Sequence, residues 1–225
     1  MQNVAKMISQ FPKLINLTGK KQYRIIPSVY PPINFFEDLV NPEEMEMLWE
    51  IESLTNERLL EEAGDIFLVA KEDRVCGPGS SVVMAAFTHI GRPSRFTNGE
   101  YGIYYASLSY ETAIHETVYH REKFLHATNQ AAMEITMRCY RGEILKPLHN
   151  VQENRFKELH NHNDYALSQK YAQEIRDTKS WGLYITVLGM RVVNALQRFG
   201  HRQFQFRHRF LICVMFGMVE KLLKC

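Results

Sequence analysis

Apolar residues along the chain recur with two different periods, so strands and helices are both expected. Met133, Ile135, Met137 and Cys139 alternate with polar neighbours, the pattern of a half-buried strand. Residues 101–107 form a run of aromatic and β-branched side chains and read as another strand. Residues 23–26 read as a strand that ends at Pro27, because proline removes a donor and restricts the residue before it. Residues 181–187 make a fourth. Helical spacing predicts a short extension over residues 3–17. It also predicts a helix opened by Pro42, with Met45, Leu48, Trp49 and Ile51 on its apolar side, and a short one capped by Thr55 or Asn56 and carrying Leu59 and Leu60. Gly77, Pro78 and Gly79 mark a turn, after which Ser80 or Ser81 caps the small apolar run 82–87. Ser109 caps a helix of about four turns ending near Leu125, and Asp164 opens one that ends near Thr178. The gaps are of hairpin length and show no regular βαβ rhythm. The expected class is therefore α+β, with mixed strands and flanking helices.

Composition narrows this only a little. Of 225 residues 45% are hydrophobic and 23% charged, which excludes global disorder. The first residues contain no long apolar run, so neither a secretory signal nor an early membrane span is expected, and the expected location is cytoplasmic. Cys76, Cys139, Cys213 and Cys225 form no CxxC pair and read as reduced thiols. The net charge of +2 hides an asymmetry. Residues 185–225 hold seven Lys and Arg against Glu220 alone, a charge of +6, which leaves −4 for residues 1–184.

The chemistry concentrates in one stretch. Arg95 lies on a turn, a strand ending in Tyr104 and Tyr105 follows, and the helix after Ser109 bears Glu116. Tyr104 and Tyr105 point to opposite faces of the strand, so one belongs to the core and one to a site. Ala113, Glu116 and His120 stand at i, i+3 and i+7 and share a helix face. A carboxylate in mid-helix facing inward is costly unless it is paired or used. These residue types suit a dinucleotide. Arginine grips pyrophosphate with parallel hydrogen bonds, tyrosine offers a flat face, and a fixed carboxylate stabilises the cation formed when a glycosidic bond at ribose breaks. The same residues also admit plainer roles: Arg95 as a surface turn residue, Glu116 in an ion pair with Arg121 or Arg95, and His120 as an ordinary helix histidine.

The segment His89-Ile-Gly-Arg-Pro-Ser-Arg-Phe-Thr-Asn-Gly-Glu-Tyr-Gly-Ile-Tyr-Tyr-Ala-Ser107, followed by Thr112-Ala-Ile-His-Glu-Thr-Val-Tyr-His120, resembles the RES domain. Residues 23–33 and 77–87 are similar to its longer subgroup, and the resemblance runs from about residue 22 to 184. It implies an ADP-ribosyltransferase-like fold and a toxin of a RES–Xre toxin–antitoxin pair. Such a protein degrades NAD, or transfers its ADP-ribose to a protein, without a metal. It also implies an Xre-type helix-turn-helix antitoxin as partner and contact with nucleic acid only through it. The family's arginine, tyrosine and glutamate fall on Arg95, Tyr105 and Glu116, with Arg24 as a second arginine for the dinucleotide.

Past Tyr184 the resemblance stops. One legal choice of codons for residues 185–199, read two bases later, gives His-Ser-Val-Arg-His-Glu-Gly-Gly-Glu-Cys-Val-Ala-Ala-Phe, close to the text expected of the family. The organisation expected is thus a helical extension over 1–21, a RES domain over 22–184 and an atypical basic tail over 185–225 produced by a frameshift. On that reading the family's serine is missing, and the alternative to an NAD-consuming enzyme is an inactive remnant that keeps only antitoxin binding. Two features invite other chemistry. His160, His162 and Asp164 lie close together, but an i, i+2 histidine pair without further ligands reads as a solvated loop rather than a zinc site. Phe199, Phe204, Phe206 and Phe210 interleave with arginines, as in a single-strand nucleic-acid binder, although a frameshifted tail accounts for the same pattern. The apolar run 210–219 is too short for a bilayer and reads as aggregation-prone.

Overall fold

The computed structural model describes residues 11–27, 46–48, 50, 64–77, 79–128, 133–161, 163–186 and, for the backbone, 211–216. Seven strands among them form one sheet: β1 (Leu14–Ile15), β2 (Lys21–Pro27), β3 (Ile103–Ser107), β4 (Met137–Glu143), β5 (Leu148–Asn150), β6 (Gly182–Thr186) and β7 (Leu211–Phe216). Their order across the sheet is β1-β5-β6-β7-β3-β2-β4. Only β5 and β6 run parallel. With α1 (Ser80–Thr88), α2 (Tyr110–Ala127) and α3 (Ala166–Asp177) flanking the sheet, the class is α+β as expected.

Alternation along the strands divides the core in two. Tyr104, Ala106 and Tyr184 join Val83, Met84 and Phe87 of α1 in one cluster. Ile103, Leu183 and Ile185 join Phe156 and the buried side of α3, Tyr171, Ala172 and Ile175, in the other. That side of α3 adds Ser168, completing the i, i+3, i+4, i+7 stripe of a helix with one buried face. Gly102 lets α1 cross close to the start of β3. A Cβ there would come within 2.3 Å of the Ala86 carbonyl oxygen and 2.5 Å of Phe87 Cα, both backbone atoms. The Ser109 Oγ accepts the Thr112 backbone N–H at 3.1 Å and caps α2, which packs against β2 and β3. The Asp164 carboxylate likewise accepts the Ala166 N–H at 2.9 Å ahead of α3.

Several expectations shift. Leu14 and Ile15, expected at the end of a helical extension, form a strand against β5, so edge pairing outweighs their helical spacing; residues 3–10 lie outside the described residues. The alternating run expected over 133–139 becomes β4 at Met137–Glu143, because all seven residues of β2 pair there. Gly79, at φ 80°, is the N-cap of α1, while Ser80 sits in the first turn with its hydroxyl buried and unpartnered among the described residues. Residues 46–48 are helical, but Met45, Trp49, Ile51 and the segment around Thr55 and Asn56 lie outside the described residues. The apolar run near the C-terminus contributes β7 between β6 and β3, with Cys213 opposite both Tyr184 and Ala106.

Burial of phenols sets one condition on stability. Burial raises Tyr101 and Tyr171 well above the ordinary 10.0. Above pH 10 the unfolded chain loses these protons and the folded one keeps them, so the unfolded state gains. Stability should be full below pH 10 and fall by about 1.4 kcal/mol per pH unit per tyrosine above it. Melting temperature measured against pH, with phenolate absorbance followed in parallel, checks this. A flat profile through pH 11 would contradict it.

Candidate functional site

A cavity of about 620 Å3 opens between α2, β2, β3 and the loop before β3. That size lies within the ~300–1,000 Å3 range of small-molecule sites. Arg24, Arg95, Tyr105 and Glu116, singled out from the sequence, all line it.

The Arg95 loop is held from several sides. The Ser94 N–H donates to the Thr97 carbonyl at 2.8 Å, and Thr97 Oγ1 donates to the Tyr101 carbonyl at 2.8 Å. Phe96 is fully buried and anchors the loop from below. From α3, Ser168 Oγ donates to the Arg95 carbonyl at 2.6 Å and Gln169 Nε2 to the Ser94 carbonyl at 2.8 Å. With its backbone held on both sides, the Arg95 guanidinium lies 5.9 Å from the ring centre of Tyr165, also a cavity residue. Arg95 is therefore part of a walled site rather than a loose surface residue.

Tyr105 faces the cavity while Tyr104 goes to the core, the division that alternation requires. Ser94 Oγ and Tyr105 Oη are 2.7 Å apart. Burial raises the Tyr105 pKa, opposed by the hydrogen bonds from Ser94 and the Phe96 backbone and by the nearby Arg95 charge. The phenol is thus neutral near pH 7 and available as a flat face and a hydrogen-bonding group.

Arg24 enters from β2, where that strand meets β3 at a single register pair, Tyr23 opposite Ser107. Its Nη1 donates to the Tyr105 carbonyl at 3.2 Å and its guanidinium lies 4.6 Å from the Tyr104 ring centre. Its Nε is buried and has no partner among the described residues. Burial lowers its pKa, although arginine remains a cation throughout the working range. Gln22, two residues earlier, supports the arrangement by exchanging hydrogen bonds with the Tyr104 hydroxyl at 3.0 and 3.2 Å.

On α2 the shared face is present: Ala113, Glu116 and His120 all line the cavity. The Glu116 side chain is 17% exposed, and its Oε2 lies 3.4 Å from His120 Nε2. The ion-pair partner seen is the histidine one turn on, where the sequence had offered Arg121 or Arg95. Among the described residues, the cavity wall includes four cations, Arg24, Arg95, Arg121 and Lys123, against one carboxylate, Glu116. Such a field attracts an anion of two or more charges.

Sequence reasoning missed Ser94, Tyr165, Tyr23 and Phe124, which line the same cavity. Ser94 stands beside Arg95, and Phe124 falls eight residues after Glu116, so both had a positional signal. Tyr165 had none, since it reaches the site only through the packing of α3. The histidine loop reads differently in space. His160 is 4% exposed with Nε2 3.0 Å from the Val151 carbonyl, so it belongs to the core rather than to a solvated loop; His162 lies outside the described residues. Among the described residues no three His, Cys, Asp or Glu converge as a metal site, and no helix is long and apolar enough to cross a membrane.

The uncharacterized protein y4oC of Sinorhizobium fredii (strain NBRC 101917 / NGR234) is 32% identical over 123 residues, covering 54% of this chain and 53% of that protein. The chain therefore spans about half the length of the curated relative it matches. The crystal structure of the M. tuberculosis MbcT–MbcA toxin–antitoxin complex contains a chain that superposes with a TM-score of 0.45 at 8% identity, over 98% of this chain and 86% of that one. The family model of the RES domain matches residues 71–186. That match spans more than half of the sequence and takes in Arg95, Tyr105 and Glu116, so the chain belongs to the RES domain family.

Proposed function

We propose that this chain binds NAD in the cavity and consumes it, in the manner of a RES-type toxin. The observation that supports this best is the meeting of Arg24, Arg95, Tyr105 and Glu116 around one cationic cavity. Arg95 and Arg24 grip the pyrophosphate, for which a planar guanidinium is suited. Tyr105 stacks on the nicotinamide or its ribose. The bond from ribose C1′ to the nicotinamide nitrogen breaks, and its electron pair leaves with nicotinamide. The Glu116 carboxylate stabilises the resulting oxocarbenium ion or orients the acceptor. Capture of C1′ by water gives ADP-ribose and releases a proton; capture by a protein side chain gives ADP-ribosyl transfer. None of these roles needs a metal. A cytoplasmic location and an Xre-type helix-turn-helix antitoxin as partner follow from the same family reading.

A second reading has an observation of its own. The family match ends at residue 186, which is consistent with an inactive remnant whose tail from 185 is out of frame and which keeps only partner binding. Incubating the purified chain with NAD separates the two. Nicotinamide release is expected under the first, with free ADP-ribose indicating hydrolysis and labelled protein indicating transfer. Intact NAD here, together with turnover by a chain carrying the alternative-frame C-terminus, would favour the remnant. Intact NAD in both would remove the enzymatic reading altogether.

A further inference from the structure

The Glu116 end of the cavity accounts for the reacting ribose and its pyrophosphate but not for the second base that a dinucleotide carries. Toward the C-terminal end of α2, Lys123, Phe124 and Ala127 line the cavity, as do Ile26 and Pro27 at the end of β2. Phe124 stands eight residues beyond Glu116, about 12 Å further along the helix axis. Lys123, at i+7 from Glu116, lies on the same helix face as the carboxylate. Phe124 lines the cavity yet is 54% exposed, so most of its ring meets water rather than the core. A half-exposed aromatic ring beside a lysine in a cavity that apolar residues also line has the make-up of a base-stacking platform: a flat face, a cation for the neighbouring phosphate, and no fixed hydrogen-bond code.

We propose that Phe124 stacks the adenine of the bound dinucleotide, with Lys123 beside it reaching the adenosine-side phosphate. This rests on the NAD reading of the same cavity and adds the position of the other end of the ligand. It places the reacting bond at Glu116 and the adenine about two turns of α2 away, so that the ligand lies along the helix. Phe124 and Lys123 then discriminate a dinucleotide from a mononucleotide, which cannot span both ends.

The test is binding measured by calorimetry for NAD, ADP-ribose and nicotinamide mononucleotide. The proteins are the Glu116→Gln chain, in which turnover is expected to be about 10³-fold slower, and the same chain carrying Phe124→Ala. ADP-ribose and NAD should bind about tenfold more weakly without the ring, on the scale of one lost base–aromatic stack. Nicotinamide mononucleotide should be unchanged, and Phe124→Trp should restore the affinity. Phe124 is mostly exposed, so an unchanged melting temperature serves as the folding control. Equal ADP-ribose binding with and without the ring would overturn the assignment while leaving the NAD reading intact. An equal loss for all three ligands would also overturn it, since the ring would then shape the whole cavity. Absence of any NAD or ADP-ribose binding to the unsubstituted chain would overturn both readings.

Discussion

Replacing Glu116 with glutamine is expected to lower kcat for nicotinamide release by about 10³-fold, with NAD affinity changed by no more than a few-fold. The substitution keeps size and shape and removes only the negative charge. Four cations and Glu116 line the same cavity, so among the described residues the carboxylate is the one negative charge on that wall able to offset the positive charge that develops on the ribose. It sits at mid-helix with 17% of its side chain exposed, where screening by water is weaker than at the surface. A fixed charge aimed at transition-state charge contributes a factor of about 10²–10³ or more, and little of it acts on the ground state. A fall in kcat at constant binding is therefore the signature, rather than a rise in KM. His120→Gln serves as the comparator: it removes the ring 3.4 Å from Glu116 Oε2 and leaves the carboxylate. A loss under tenfold there, against the large loss at Glu116, separates the charge from its neighbour. Equal turnover by Glu116→Gln and the unsubstituted chain would end the proposed mechanism.

How much of this could be read from the sequence depends on the range of the interaction concerned. Glu116 and His120 were legible because helical geometry alone puts Ala113, Glu116 and His120 on one face, and all three line the cavity. The assignment of Tyr104 to the core and Tyr105 to the site needed only strand alternation plus the family resemblance. The Ser109 cap and the Asp164 start are likewise local, since each side chain bonds a backbone N–H two or three residues away. Where pairing partners are distant, local pattern failed. Leu14 and Ile15 read as helical, and nothing nearby reveals that Leu148 and His149 wait to pair with them. The start of β4 was misplaced by four residues because its bounds are set by β2 rather than by its own alternation. His160 looked like a loop residue because the carbonyl of Val151, nine positions away, is brought to it only by the fold. Tyr165 reaches Arg95 in the same way, through the docking of α3 on the Arg95 loop.

The tail offers the other large effect. A chain ended before Leu211 is expected to lose its cooperative thermal transition and most of its soluble yield. β7 lies in the middle of the sheet, with five register pairs to β3 and five to β6. Ladder hydrogen bonds contribute roughly 1 kcal/mol each, so losing a ladder on both sides removes an amount comparable to the ~5–15 kcal/mol that holds a typical domain folded. The strand bearing Tyr105 would also become an open edge beside β6, a template for aggregation. A strand with neighbours on both sides and helices over both faces is commonly a continuous apolar run, and Leu-Ile-Cys-Val-Met-Phe over 211–216 has that composition. The same run reads as an aggregation hazard when taken in isolation, so its role depends on whether it is seated between β6 and β3. We propose that residues 185–225 are nonetheless out of frame with the family, and the two ideas make separate predictions. Differential scanning calorimetry of the truncated chain tests the strand, and an unchanged melting temperature would remove β7 from the sheet. The DNA around codon 185 tests the frame: if the register two bases later does not encode His-Ser-Val-Arg-His, the frameshift is excluded. If it does, a chain rebuilt with that text should fold at least as stably as the present one, because its strand would then share one family design with residues 71–184.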